Sequence, residues 1–436
     1  MSADTTPLRS AAQTGAAGRA KISTRSLALL IFCATFLVYA FATRRVLDWM
    51  AIPQGVETMH IAQSLALNGR FAGAFSPVPA ANAPYSAFLA PVYPTFVSLI
   101  LRAFGDGLAS LTVLWVANLF FLSTQLALLP FLSERLGLGR PTGIAAAALG
   151  ILLVPYKLDL EWESLFAGML IVLLCALLLA AFQKPRSRVA YAGLGLLWGL
   201  ALLTNPLSII LVALWLAAIL VDAKPGVRRA LLASGVLVCV AAAAVILPWI
   251  VRNRVRLGGF IFIRNGVGLF LNVSNNDCAQ PSLFASLRSG CDAATHPNLN
   301  PAIAAELARV GEVRFDRQQL RQAVAWIAAH PRRFGWLTAQ RVALFWLPGK
   351  GASTLRQSSW PVWILTLLSV AGVIRMWHRN RPAMRILAWP LLFYPLIYYV
   401  MEFEPRYRDP ILWITLLFAA YAILPILPAS MRRTLA

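Results

Sequence analysis

The sequence predicts an all-α polytopic membrane protein with about ten transmembrane helices. Three observations predict it. Of 436 residues, 59% are hydrophobic and 13% are charged, where ordinary soluble domains carry about 25% charge. The mean hydropathy is +0.68. A soluble globule of this length could not hide so much apolar surface, and disorder and a coiled coil are excluded on the same ground. Third, the basic residues behind the net charge of +22 lie mostly between apolar runs. That placement points to lipid headgroups and phosphates as partners, and not to nucleic acid.

Apolar runs near 26–43, 108–132, 142–156, 164–182, 190–203, 207–221, 230–250, 360–377, 386–400 and 411–427 are read as the spans. The first is followed by Thr43-Arg44-Arg45 with no small-residue cleavage site, so it is read as a retained helix. Residues 190–221 are too long for one span at about 1.5 Å per residue. Lys184, Arg186 and Arg188 precede them, and Lys224, Arg228 and Arg229 follow. Short basic loops stay cytoplasmic. Two cytoplasmic flanks require an even number of crossings, which makes this a hairpin with Thr204-Asn205-Pro206 at its outer tip.

The same rule orients the rest. The N-terminal tail (1–25), 133–140, 183–188, 222–229, 375–385 and the C-terminal tail (428–436) are inside. The outer segments are 44–107, 157–163, the hairpin tip, 251–359 and 402–410. The organisation is then a transmembrane module (26–250) with outer loops, an outer segment (251–359) between spans 7 and 8, and C-terminal spans (360–427). Of the 17 Asp and Glu residues, all but Asp4, Glu134 and Asp222 fall outside. A protein that sets its polar loops and carboxylates on one face works on that face.

Two short helices, Val56–Leu67 and Thr95–Phe104, are expected in the first outer loop, lying along the membrane surface. The second loop holds Asp159, Glu161 and Glu163, acids at a membrane edge that suit either function or interfacial solvation. After Pro248-Trp249, the arginines Arg252, Arg254 and Arg256 leave the membrane together. They could clamp a lipid phosphate or anchor to headgroups. Asp316 reads as the N-cap of one helix and Pro331 as the start of another. The last outer loop, 402–410, holds Glu402, Glu404, Arg406, Arg408 and Asp409 between two apolar spans.

Cys278 and Cys291 lie outside, where oxidation is permitted, and are expected to form a disulfide. Cys33, Cys175 and Cys239 lie in spans. The four histidines show no zinc-binding spacing, and no Walker loop or dinucleotide fingerprint is present.

Taken in order, these motifs resemble the GT-C superfamily of membrane glycosyltransferases, in the group of protein O-mannosyltransferases and bacterial aminoarabinose transferases. Glu57 precedes Ile61-Ala62-Gln63-Ser64-Leu65 and Gly69, as in the family's first outer loop. Pro91-Val92-Tyr93-Pro94 and Phe104-Gly105 match the helix that follows. Glu163-Ser164-Leu165-Phe166, Thr204-Asn205-Pro206, Pro248-Trp249 with Arg252-Asn253, Asn275-Asn276, and Arg406-Tyr407 with Pro410 match the rest. Val56 stands where the family usually has its first Asp, and Asn205 where the hairpin tip usually has a basic residue.

The resemblance implies transfer of a sugar, with inversion, from a polyprenyl-phosphate carrier to an acceptor hydroxyl at the outer face. Glu57 would be the general base, with Asp48 the fallback. Glu163, with Asp159 or Glu161, would be the second acidic site, orienting the acceptor or holding a metal as in some relatives. Arg252, Asn253, Arg254, Arg406, Tyr407, Arg408 and Tyr93 would bind substrate, with Arg406 leading on the phosphate. No cofactor is required by this chemistry, and a divalent metal is left open. The implied setting is a bacterial inner membrane with the site facing the periplasm. A transporter of a lipid-linked sugar and a lipid-pyrophosphate glycan ligase or polymerase are the rival readings. The acceptor is a lipid, a glycan or a protein.

Overall fold

The structure is a computed structural model that describes residues 23–44, 57–75, 82–154, 158, 160–183, 186–349 and 359–426. Asp48, Asp159 and most of both tails lie outside the described residues. The described residues form helices and no strands beyond two isolated bridges.

Every expected apolar run is helical, with shifted ends. In chain order these are α1 (Thr24–Thr43), α2 (Glu57–Asn68), α3 (Val92–Phe104), α4 (Leu108–Ala127), α5 (Leu129–Arg135), α6 (Arg140–Leu153), α7 (Ser164–Gln183), α8 (Arg188–Leu202), α9 (Ser208–Asp222) and α10 (Pro225–Leu257). Then come α11 (Val267–Ser274), α12 (Leu283–Ser289), α13 (Cys291–Thr295), α14 (Pro301–Val310), α15 (Glu312–Ala329), α16 (Pro331–Trp346), α17 (Trp360–Arg379), α18 (Arg381–Phe393), α19 (Leu396–Tyr399) and α20 (Asp409–Ile423). Among the described residues, five segments are long and apolar enough to cross a membrane: α1, α4 with α5, α7, α10 and α17.

Local chemistry sets many ends. Ser23, Ser187 and Asn380 cap α1, α8 and α18 by accepting backbone N–H bonds from Ser26, Ala190 and Ala383. α8 lies along α10 through Gly195 and Gly199, one turn apart. A Cβ on Gly195 would sit 2.4 Å from the Val238 carbonyl oxygen, so only glycine permits this approach. α20 is buried along nearly its whole length between α17, α6 and α7 and forms the centre of the bundle.

Three expectations need correction. The seventh run was expected at 230–250, but α10 has 33 residues, about 50 Å at 1.5 Å per residue. It outruns a bilayer core, and the Arg252–Arg256 stretch is helical. At 100° per residue its three arginines diverge instead of forming one clamp. α15 begins at Glu312, not at Asp316. Asp316 instead accepts from the Leu269 N–H (3.0 Å), so it caps the neighbouring α11. The run at 386–400 is split into α18 and α19, with Pro390 inside the first and Pro395 at the N-cap of the second.

Candidate active site

The scaffold of the site is the C-terminal end of α10. Arg252 donates to the carbonyls of Ser86 (2.6 Å) and Phe71 (2.7 Å), and stacks over Trp249 with its guanidinium carbon 4.6 Å from the ring centroid. Trp249 Nε1 donates to the Ile263 carbonyl (2.6 Å), and buried Asn253 donates to the Ile261 carbonyl (3.4 Å). Glu312 joins from α15, accepting from Ser86 Oγ (2.6 Å) and the Ala87 N–H (2.9 Å). The Pro-Trp-x-x-Arg-Asn motif therefore ties the loop after α2 to the extended stretch 259–266. Arg252 and Asn253 are committed to backbone. Arg254 is exposed and donates to the Gly258 carbonyl (2.9 Å).

The stretch so held carries Arg264 into a cavity of about 250 Å³. Four separated segments build its wall. Trp162, Glu163 and Ser164 come from the start of α7. Asn205, Pro206 and Leu207 come from the α8–α9 tip. Phe262, Ile263, Arg264, Val267 and Phe270 come from the α10–α11 region. Tyr394, Tyr398, Met401, Arg406, Tyr407 and Pro410 come from between α18 and α20. Arg406 is ion-paired with Glu404, and its guanidinium carbon lies 3.6 Å from the Trp162 ring centroid. Tyr407 stacks on Tyr398 with centroids 4.2 Å apart. Arg264 makes no ion pair among the described residues, although its charge favours the ionised forms of Glu57 and Asp316. It rests against the faces of Phe270 (5.4 Å) and Phe88 (5.8 Å).

The other expected residues are placed elsewhere. Arg408 is buried against Phe345 and Trp346, outside the cavity wall. Tyr93 donates its hydroxyl to the Leu160 carbonyl (2.7 Å) and so steadies the turn that presents Glu163. Glu161 is half-buried and does not line the cavity.

Glu57, at the start of α2, also lies outside that wall. It is 5% exposed, and its Oε1 is 3.5 Å from Nε2 of His296. Burial pushes its carboxyl up to about 7, against the pull of Arg406. Burial lowers His296 to about 4, so the imidazole is neutral. Its Nδ1 accepts the Asn298 N–H (3.2 Å), so the ring proton is on Nε2 and faces Glu57. The contact is between a neutral imidazole and a carboxyl, not an ion pair. Behind it, burial raises Asp292 to about 6 and Glu402 to about 8, with Glu404 adding to both.

Cys278 and Cys291 are bonded, with Cα atoms 5.5 Å apart. The bond ties the chain after α11 to the start of α13, just before His296. Arg341, from α16, donates to Asn275 Oδ1 (3.1 Å), the Val400 carbonyl (3.1 Å) and the Ser274 carbonyl. Asn275 is thus scaffold as well. Among the described residues no group of three His, Cys, Asp or Glu side chains gathers as a metal ligand set, Glu163 included.

Sequence reasoning missed Arg264, Trp162, Tyr394, Tyr398 and His296. Arg264 had a visible signal: it is a single cation at the end of Phe260-Ile261-Phe262-Ile263, directly after a helix-ending glycine pair. The tyrosines had none, because they sit in a run read only as a span.

The described residues thus form an apolar helical bundle with a cationic, aromatic-walled cavity at one end. No family model matches the chain, and no curated protein matches it. Among solved structures, it superposes on archaeal oligosaccharyltransferase AglB from Archaeoglobus fulgidus in complex with an inhibitory peptide and a dolichol-phosphate. The TM-score is 0.54 and the identity 15%, over 92% of this chain and 50% of that one. The apo form gives a TM-score of 0.58 at 14% identity, over 94% and 51%. The complex with Zn and sulfate gives 0.53 at 14%, over 93% and 50%. At this identity the likeness is one of fold, and the chain spans about half the length of the chains it matches.

Proposed function

We propose that this protein is a GT-C-type membrane glycosyltransferase. It moves a sugar from a polyprenyl-phosphate carrier to an acceptor hydroxyl at the outer face of a bacterial inner membrane, with inversion. The observation that carries this reading is Arg264. It is an uncommitted guanidinium in an aromatic cavity that also holds Glu163 and the paired Arg406. Such a cavity fits a sugar ring against its aromatic faces and a phosphate against its cations. The dolichol-phosphate in one matched structure is a lipid phosphate of the same chemistry.

In this reading the acceptor oxygen attacks the anomeric carbon. The bond from that carbon to the phosphate oxygen breaks, and the phosphate leaves with the electron pair. Arg264 and Arg406 neutralise the leaving charge. The acceptor proton passes to a carboxylate. Glu163 is assigned that role because it lines the cavity, whereas Glu57 does not. Glu57 and His296 support the layer holding Glu404 and Arg406. The steps above are written without a metal, and a divalent metal is left open. The proposal includes ten crossings, with 44–107, 157–163, 251–359 and 402–410 outside and both tails inside.

The test is sugar transfer in reconstituted vesicles. Labelled polyprenyl-phosphate sugars are offered and release of polyprenyl phosphate is followed. Wild type should turn over, and Glu163→Gln should lose about 10²–10⁴-fold. Glu57→Gln should retain more activity than Glu163→Gln. The reverse order would return the base to Glu57. Label crossing the bilayer without release, in wild type, would replace this reading with a transporter.

A further inference from the structure

At the other end of the bundle lies a second cavity, of about 310 Å³, where α5, α7, α9, α10 and α18 meet. It is separated from the first by the length of the helices. α7 begins at Ser164 in the first cavity and ends with Phe182 and Gln183 in the second. Twenty residues rise about 30 Å, the thickness of a bilayer's hydrocarbon core. α9 repeats the relation, with Leu207 at one cavity and Ile219 and Asp222 at the other.

Its chemistry is two-part. The inner wall is apolar, including buried Leu179 and Ile386 and half-buried Phe182 and Ile219. The rim carries Arg135 and Lys224, both exposed, whose side chains make no hydrogen bond or ion pair among the described residues. The one rim carboxylate, Asp222, is already paired with Arg385. The first turn of α10 stands at the rim, and no side chain caps it. Pro225 has no N–H and the Val227 N–H donates to the Lys224 carbonyl (3.0 Å), so the helix dipole, more than free donors, adds to the positive field. On its outer side the apolar wall continues with Val227 (47% exposed) and half-buried Leu231, one helical turn apart on the same face of α10.

We propose that this crevice binds one anionic phospholipid. Its phosphate sits between Arg135 and Lys224 at the start of α10, and an acyl chain lies over Phe182 and Ile219 and out along α10. A zwitterionic headgroup would bring a cation into a site that already holds two unpaired ones. A free phosphate would leave the apolar wall unused. The bound lipid joins α5, α7, α9, α10 and α18 where no side-chain bond joins Arg135 or Lys224 to the facing helices. This inference stands whether or not the first cavity transfers sugar.

The full-length protein in mild detergent is mixed with phosphatidylglycerol or phosphatidylcholine of the same acyl chains, and retained lipid is counted by native mass spectrometry. One phosphatidylglycerol per chain should be retained, at least about tenfold over phosphatidylcholine. Arg135→Ala with Lys224→Ala should abolish that preference. Ile219→Trp, which fills the crevice and leaves the charges, should lower retention of both lipids. Arg188→Ala with Arg229→Ala removes as much charge outside the crevice and should change nothing. Equal retention of the two lipids would overturn the site. So would an equal loss in the Arg188/Arg229 variant, which would mean diffuse charge. Displacement by millimolar inorganic phosphate would overturn the lipid in favour of the free anion.

Discussion

Arg252 and Arg264 lie on one stretch of chain and have opposite employment. Arg252 projects from a helix, and its donors end on two backbone carbonyls and on Asn253. Arg264 projects from an irregular stretch of chain into a cavity, rests on two aromatic faces and, among the described residues, makes no hydrogen bond or ion pair, though its charge acts on Glu57 and Asp316. Sequence pattern favours the first, which sits in a recognisable motif. Geometry favours the second. A cation whose donors are filled by backbone is part of the frame. One that is desolvated on its flanks and unfilled at its tip is available to an anion.

The largest expected effect tests that contrast directly. Arg264→Ala should lower carrier-dependent turnover by about 10²-fold or more, as loss of a transition-state donor does, with an unchanged melting temperature. If melting falls instead, Arg264 belongs to the frame and the comparison breaks. Reduction of Cys278–Cys291 should cost about 3 kcal/mol for a loop of this size, measured as a lower melting temperature. Arg252→Ala should cost about 2 kcal/mol, the order expected for losing charged hydrogen bonds to buried carbonyls. Donor affinity of the folded fraction should not change.

Glu57 gives a pH test of the same frame. Its folded-state pKa, raised by burial to about 7, lies above that of an unfolded glutamate. Its contribution to stability is therefore full at low pH and is lost as pH rises through about 7. Glu57→Gln should melt higher than wild type at pH 8 and close to it at pH 5. The smallest effect belongs to Arg254→Ala. That side chain is exposed and holds only its own helix end, so stability and turnover should both stay within error.

Much of the architecture was legible. The apolar runs gave every described helix that is long and apolar enough to cross a membrane, because helical periodicity and a lipid-matched length are both local properties of a sequence. The charge asymmetry of the loops sorted them into two sets. Among the described residues, Glu163, Asn205, Arg264 and Arg406 line the first cavity, and Arg135, Gln183, Lys224 and Pro382 line the second. Glu163, Arg406 and Tyr407, each adjoining a motif at a span end, all line the first cavity.

The roles within the site were not readable. The carbonyls that fill Arg252 lie 166 and 181 residues away in sequence, so nothing local distinguishes it from a free arginine. Arg408 adjoins Arg406 in the same charged loop but points into the bundle. Tyr93, read as a substrate contact, instead holds a backbone carbonyl. By itself the sequence determined that this chain is a helical, basic, apolar bundle with two chemically different ends, since composition and periodicity act residue by residue. Only the tertiary structure decided which carboxylate faces the cavity and which arginine is left without a partner. Burial and hydrogen-bond partners come from segments far apart in the chain, and no local pattern encodes them.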